Sequence, residues 1–209
     1  MGLSEKNAGS DLSQIETSAY YRDGKFILNG TKKYIANGTQ CDYIVVGAKT
    51  GDSIKSKFGA AGLSLFLVDA KLPGVSRHPI NCVGWQGSDL AEIHFRDVEV
   101  GDESLIGKNK FGFSQIIEGM VLERLAASIL ALSGADFCLQ STWNYLAHRA
   151  VRNEPLSKKN VIRSSLAELE IELLSVRQLC YYFSWLFENK KLSPANSSIL
   201  KIKSTELYK

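Results

Sequence analysis

The chain has 209 residues, a formal net charge of +3, and 44% hydrophobic against 22% charged residues. That is ordinary globular usage, and it excludes a disordered chain, a collagen-like repeat and a coiled-coil rod. The length suits one large or two small units, and the charge is too mild to demand nucleic acid or an anionic membrane, although the basic excess of the second half favours a phosphorylated ligand there.

Cys41, Cys82, Cys138 and Cys180 stand far apart without a C-x-x-C pair, so reduced core thiols are expected rather than a zinc site or disulfide scaffold. His78, His94 and His148 are equally scattered, which argues against a histidine metal centre or a Ser–His triad and leaves no metal expected. The longest apolar run, Leu63 to Val68, is too short to span a bilayer, and the start Met1-Gly2-Leu3-Ser4-Glu5-Lys6 has no apolar signal region. An intracellular protein without membrane or nucleic-acid partners is the expectation.

From Ser18 to Val100 the chain reads as short β runs broken by turns. Tyr20-Tyr21 leads into Arg22-Asp23-Gly24-Lys25, and Phe26-Ile27-Leu28 meets Asn29-Gly30; Asp-Gly and Asn-Gly both signal two-residue hairpins. Tyr34-Ile35, Tyr43 to Val46, Leu63 to Val68 and Ile93 to Val98 continue the series, and strands this closely spaced predict an antiparallel barrel or sandwich. Lys49 to Gly62, polar and glycine-rich, reads as a surface hairpin loop. After Gly112 the period turns helical: Phe113, Ile116, Ile117, Met120, Leu125, Ile129 and Leu132 define one face, and Val161, Leu166, Leu169, Leu173, Val176 and Leu179 a second. Ser193-Pro194 reads as the N-cap and first position of a third helix. The predicted class is α+β, a β-barrel or sandwich domain over residues 1–105 and an incomplete antiparallel helical bundle over 106–209.

Three segments carry candidate chemistry. Leu3-Ser4-Glu5-Lys6-Asn7-Ala8-Gly9-Ser10-Asp11 combines small residues and hydroxyls that let backbone amides approach a phosphate or ring edge, though an ordinary turn explains them as well. Gly30-Thr31-Lys32-Lys33-Tyr34-Ile35-Ala36-Asn37-Gly38 places an aromatic between two turns, as a plain hairpin with a packed Tyr also does. In Val121-Leu122-Glu123-Arg124-Leu125 a carboxylate on an apolar helix is either a general base or a solvated Glu beside a snorkelling Arg.

In this order and spacing the segments resemble the acyl-CoA dehydrogenases, flavoproteins that oxidise acyl thioesters. The first is similar to the family's (T/S)EPxAGSD segment and Phe26 to Gly38 to its (I/L)NGxKxWITNG hairpin. Gly84-Trp85-Gln86-Gly87-Ser88-Asp89, Phe95-Arg96-Asp97-Val98-Glu99-Val100 and Leu105-Ile106-Gly107 follow its GxxxSDTxELxFxDVxVPxxNLLG stretch. The resemblance implies a β domain and a helical domain with the flavin of FAD between them. Leu3, Ser4, Gly9 and Ser10 would contact FAD, Ser10 also the substrate, and Tyr34, Ile35 and Ala36 would line the flavin ring. Arg149 matches the family's FAD-phosphate arginine, a guanidinium being the right fork for a pyrophosphate, and Asn160 falls where a glutamine is usual.

Val121-Leu122-Glu123-Arg124-Leu125 resembles the LERL or QERL motif of the isovaleryl-CoA and long-chain types. Glu123 would then remove the α-proton of the thioester, with burial raising its pKa, while Val121, Leu122 and Arg124 line the substrate. The implied partners are acyl-CoA or a carrier-protein thioester, an electron-transfer flavoprotein or other acceptor, and further copies of the chain. The implied compartment is the cytoplasm, or the mitochondrial matrix in a eukaryote.

The chain also departs from the family. Lys6 replaces the motif's proline, Ala36 a Thr or Ser whose hydroxyl bonds near the flavin, and Ala150 to Leu156 lacks the usual aromatic-glycine pair. Complete members continue before Met1 and after Lys209, so a fragment, a split subunit or a shortened homologue is expected. The alternative function is a catalytically impaired binding or assembly module.

Overall fold

The computed structural model describes residues 1–50, 62–84 and 87–209; most of the loop read at Lys49 to Gly62, and Trp85-Gln86, lie outside the described residues. The chain divides into two compact units, Met1–Ile116 and Ile117–Lys209. Strands come first and helices after, as the sequence predicts.

The first unit is built on β1 (Ser18–Arg22), β2 (Lys25–Ala36), β3 (Tyr43–Thr50), β4 (Leu63–Asp69), β5 (Val75–Pro79), β6 (Leu90–Val100) and β7 (Leu105–Ile106). They form one sheet in the order β5-β6-β2-β1-β3-β4-β7, antiparallel throughout except for the parallel β1–β3 pair. The sheet is open rather than closed into a barrel, and it curls. In a flat sheet β2 and β4, three strands apart, would be separated by about 14 Å, yet the rings of Phe26 and Phe66 stand 5.0 Å apart, centroid to centroid. Curling lets inward side chains of both arms, Leu28, Val46, Phe66, Ile93 and Phe95 among them, share one core. Burying each such side chain contributes about 1.5–3 kcal/mol.

The β1–β2 turn is the one the sequence predicts. Asp23 and Gly24 both have positive φ, 52° and 80°, the mirror-image turn whose twist matches the flanking strands. Asn29-Gly30 does not turn the chain. It lies inside the 12-residue β2, at a register shift against β6. The Asn29 side-chain amide donates to Asp97 Oδ1 at 3.0 Å, and its oxygen accepts from the Asp97 backbone N–H at 2.9 Å. These bonds hold the strand pair together across an irregularity, so the dipeptide makes a bulge instead of a hairpin.

The second unit contains most of α1 (Gly112–His148), together with α2 (Asn160–Glu188) and α3 (Pro194–Tyr208). At 37 residues, α1 is about 55 Å long. Its buried Leu125, Leu132, Leu139 and Leu146 recur every seventh residue, as do Leu166, Leu173 and Cys180 on α2, the spacing of an antiparallel coiled-coil seam. Leu200 joins this core from α3. The sequence-based faces are partly corrected. Phe113, Ile129, Val161 and Leu169 are exposed, whereas Leu139, Leu146, Cys180 and Phe183, outside those faces, are buried. The helices are also tied by Arg177 to Asp136 at 3.2 Å and by Lys203 to Glu172 at 3.1 Å. Ser193 caps α3 as predicted, its side chain accepting from the Asn196 N–H at 3.1 Å, with Pro194 at the first position.

Between α1 and α2 lies a two-stranded hairpin the sequence reading lacked, β8 (Ala150–Val151) with β9 (Glu154–Pro155). Arg152 and Asn153 turn it, with φ of 52° and 62°. Among the described residues no helix is long and apolar enough to cross a membrane.

Candidate functional site

In the first unit the structure brings the first two motif segments together. The stretch before β1 runs along the sheet. Gly2 N–H donates to the Val45 carbonyl at 2.6 Å, and Gly47 N–H donates back to Gly2 at 3.1 Å. The next two carbonyls turn to β2: Leu3 accepts from Lys32 Nζ at 3.1 Å and Ser4 from the Lys33 N–H at 2.8 Å. Leu3 packs over Gly47, where a Cβ would stand 2.7 Å from Leu3 Cδ2, so a larger residue there would make the Leu3 side chain shift.

Directly after this anchoring point β2 bulges, with register lost between Lys32 and Ile35. Tyr34 sits there in the left-handed region, φ 64°, a conformation that costs an aromatic residue on the order of 1–3 kcal/mol and collects at functional sites. The bulge turns the Tyr34 ring outward, 57% exposed, while Ile35 is buried at 4%. Ala36 is exposed beside it. Lys33 Nζ lies 5.6 Å from the centre of the Tyr34 ring and 3.0 Å from Glu92 Oε2. Gly9 and Ser10 are exposed, and nothing lies within 4 Å of a Cβ built on Gly9. The unit thus offers an exposed aromatic ring, a small neighbour at Ala36 and an open glycine-serine segment, features that suit a planar cofactor.

Two residues the sequence reading did not single out hold this arrangement. Lys32 has no exposed side-chain surface and Glu5 only 7%, and they pair at 2.7 Å. The Glu5 carboxylate also accepts from Thr17 Oγ1 at 2.6 Å, the Thr17 N–H at 3.0 Å and the Glu16 N–H at 2.7 Å. Burial alone would raise the Glu5 carboxyl, but the charge and hydrogen bond of Lys32, with those from Thr17 and Glu16, hold it below its ordinary value. Burial pulls the Lys32 ammonium down, with Glu5 opposing. Both stand on fixed letters of the motifs matched above, the Glu of (T/S)EPxAGSD and the Lys of (I/L)NGxKxWITNG, but nothing in the residue order says that they pair.

In the second unit Val121 and Leu125 face the core while Leu122 is 51% exposed. Arg124 is tethered, its Nη1 donating to Ser198 Oγ of α3 at 3.0 Å. The Glu123 side chain is exposed and carries no hydrogen bond or ion pair among the described residues. The burial expected for it is not provided by these three helices. Arg149 follows the last residue of α1, and its carbonyl accepts from the Leu156 N–H at 2.8 Å, closing the β8–β9 hairpin. Asn160 is the first residue of α2. Both side chains are exposed, at the two ends of that connection.

Comparison with known proteins places both units. Residues 1–98 match the family model "Acyl-CoA dehydrogenase, middle domain" and residues 110–209 match "Acyl-CoA dehydrogenase, C-terminal domain". The chain is 32% identical over 208 residues to the long-chain specific acyl-CoA dehydrogenase of Sus scrofa, covering 99% of this chain and 48% of the relative. It is 30% identical over 205 residues to the short-chain specific enzyme of Homo sapiens, covering 98% and 49%. A crystal structure of acyl-CoA dehydrogenase from Geobacillus kaustophilus superposes with a TM-score of 0.93 at 30% identity, covering 99% of this chain and 54% of that one. The chain therefore spans about half the length of the relatives it matches.

Proposed function

Since the chain belongs to the acyl-CoA dehydrogenase family, we propose that it serves α,β-dehydrogenation of an acyl thioester, with Glu123 as the base that removes the α-proton. The observation that carries this reading is the match of residues 1–98 and 110–209 to the middle and C-terminal domains of that family, with Val121-Leu122-Glu123-Arg124-Leu125 lying on α1. The neighbours of Glu123 are held, Val121 and Leu125 by burial and Arg124 by Ser198, while its own carboxylate is exposed and has no partner among the described residues. Val121-Leu122-Glu123-Arg124-Leu125 further supports the isovaleryl-CoA or long-chain type.

FAD, when bound, supplies the acceptor for the β-hydride. In this reading Leu3, Ser4, Gly9 and Ser10 present the backbone and hydroxyls of the first unit to it, and Tyr34, Ile35 and Ala36 offer a ring and an apolar strand end. Arg149, with Asn160, contributes a charge suited to a pyrophosphate. Ser10, Val121, Leu122 and Arg124 contact the thioester, carried by CoA or a carrier protein. Reoxidation falls to an electron-transfer flavoprotein or a similar acceptor, and the working form is a homo-oligomer in the cytoplasm or the mitochondrial matrix.

The test is a visible spectrum of the purified chain after incubation with FAD and removal of free cofactor. Flavin bands that bleach on adding an acyl-CoA support the reading, and Glu123→Gln should stop the bleaching with the flavin retained. Ala36, which lacks a hydroxyl, favours a second reading, a binding module that holds flavin and thioester without turnover. Retained flavin that no acyl-CoA bleaches would select it.

A further inference from the structure

We propose that Glu5 and Lys32 are positioning residues for the cofactor site: their buried pair holds the Leu3-Ser4 backbone in fixed register against the bulge at Lys33-Tyr34. The inference rests on the flavin reading for its purpose, but on the geometry of the first unit for its mechanism.

Lys32 Nζ divides its hydrogen bonds between Glu5 Oε1 and the Leu3 carbonyl, so one ammonium links the segment's backbone to its own carboxylate anchor. The following residue, Lys33, bonds the Ser4 carbonyl through its backbone. Glu5 in turn is tied to Glu16 and Thr17, just ahead of β1. The segment is thereby gripped by β2, by β3 through Gly2 and by the approach to β1, and the grip at Lys32 and Lys33 lies immediately before Tyr34, which the bulge turns outward.

A pair of this kind is a poor device for stability alone. Desolvating two charges consumes most of what their attraction returns, and apolar residues of similar volume commonly serve as well or better. What apolar replacements cannot do is set register, because packing is non-directional, whereas the Lys32 and Glu5 bonds are satisfied in only one alignment of residues 3–5 on β2. Lys32 and Glu5 therefore fix where the Leu3-Ser4 backbone lies relative to the Tyr34 ring.

The experiment compares the full chain with the double variant Glu5→Leu/Lys32→Met, which leaves no orphaned charge, and with the isosteric Glu5→Gln, which keeps an acceptor for Lys32 and Thr17 but removes the negative charge. Native-state hydrogen exchange reads the grip directly. The Lys33 and Gly47 amides, which bond Ser4 and Gly2, should exchange about tenfold faster or more, while the Val46 and Phe66 amides stay as in the parent chain. FAD titration, followed by flavin band shape and fluorescence, should show retention weaker by about tenfold or more.

Unchanged exchange at Lys33 and Gly47 overturns the proposal. Uniform acceleration across the sheet reduces the pair to a general stabiliser and overturns it too, as does faster local exchange with FAD retention and spectrum unaltered. If the double variant does not fold, Glu5→Gln supplies the same comparison. If the parent chain takes up no FAD, the flavin reading fails by itself, and the exchange data still decide whether the pair sets the segment.

Discussion

Two carboxylates, one in each unit, meet opposite surroundings. Glu5 is buried, paired with Lys32 and bonded to Thr17 and Glu16. The Glu123 side chain stands exposed on α1 without a partner among the described residues. A carboxylate whose lone pairs are all engaged is stabilised as the anion and holds neighbouring groups in place; one that is free can take up a proton during a reaction. The same functional group is thus a bonded, fixed anion in the β unit and an exposed side chain in the helical unit, where the proposed function makes it the base, and the difference lies in what surrounds it.

The largest effect expected from breaking this contrast is on rate. Glu123→Gln in a flavin-loaded assembly should slow flavin reduction by acyl-CoA by about 10²–10⁴-fold, read by stopped-flow absorbance, and leave the thermal midpoint where it was. Lys32→Met alone acts on the other carboxylate. It strands a buried anion and should cost about 3–5 kcal/mol in urea unfolding of the first unit, whereas the double replacement should recover only part of that loss, because Thr17 and the Glu16 N–H then lack their acceptor.

Acid sharpens the comparison further. The Glu5 carboxyl lies below its ordinary value in the folded chain, so the folded state binds fewer protons than the unfolded state between the two values. Its contribution is complete above the unfolded pKa of about 4.3 and is lost as pH falls through the lower folded value. Urea midpoints measured from pH 6 downwards should drop in that window, and Glu5→Gln should flatten the drop. The smallest effect lies in a part of the helical unit that sequence alone could read. Ser193→Ala removes the cap of α3 and should cost about 1 kcal/mol, measured by the same unfolding curves.

The order of strands then helices, the Asp23-Gly24 turn and the Ser193-Pro194 start of α3 were legible because each depends on neighbours in sequence. A turn needs positive φ at two adjacent residues, and a cap needs a hydroxyl next to the first helical turn. Asn29-Gly30 misled because Asn29 finds Asp97, far along the chain, and that contact keeps the strand running. The helix faces were incomplete for a similar reason. Period alone marks apolar residues on α1 and α2, but which stripe is buried depends on the facing helix, and the seam through Leu139 and Leu146 exists only where α2 presents Leu166, Leu173 and Cys180.

The site divides the same way. The motif segments, Tyr34 and the Glu123 motif could be marked from residue order alone. That Tyr34 points outward was decided by a β-bulge against β6, and that Leu3 and Ser4 lie beside it was decided by Lys32, Lys33 and Glu5. Sequence by itself determined the α+β class, the family and the segments that match its motifs, because patterning and motif spacing are local properties of the chain. The curl of the sheet, the pairing of Glu5 with Lys32 and the exposure of Glu123 were left to the tertiary structure. Each arises from residues far apart in sequence, brought together only when burial and hydrogen bonding choose one packing among many.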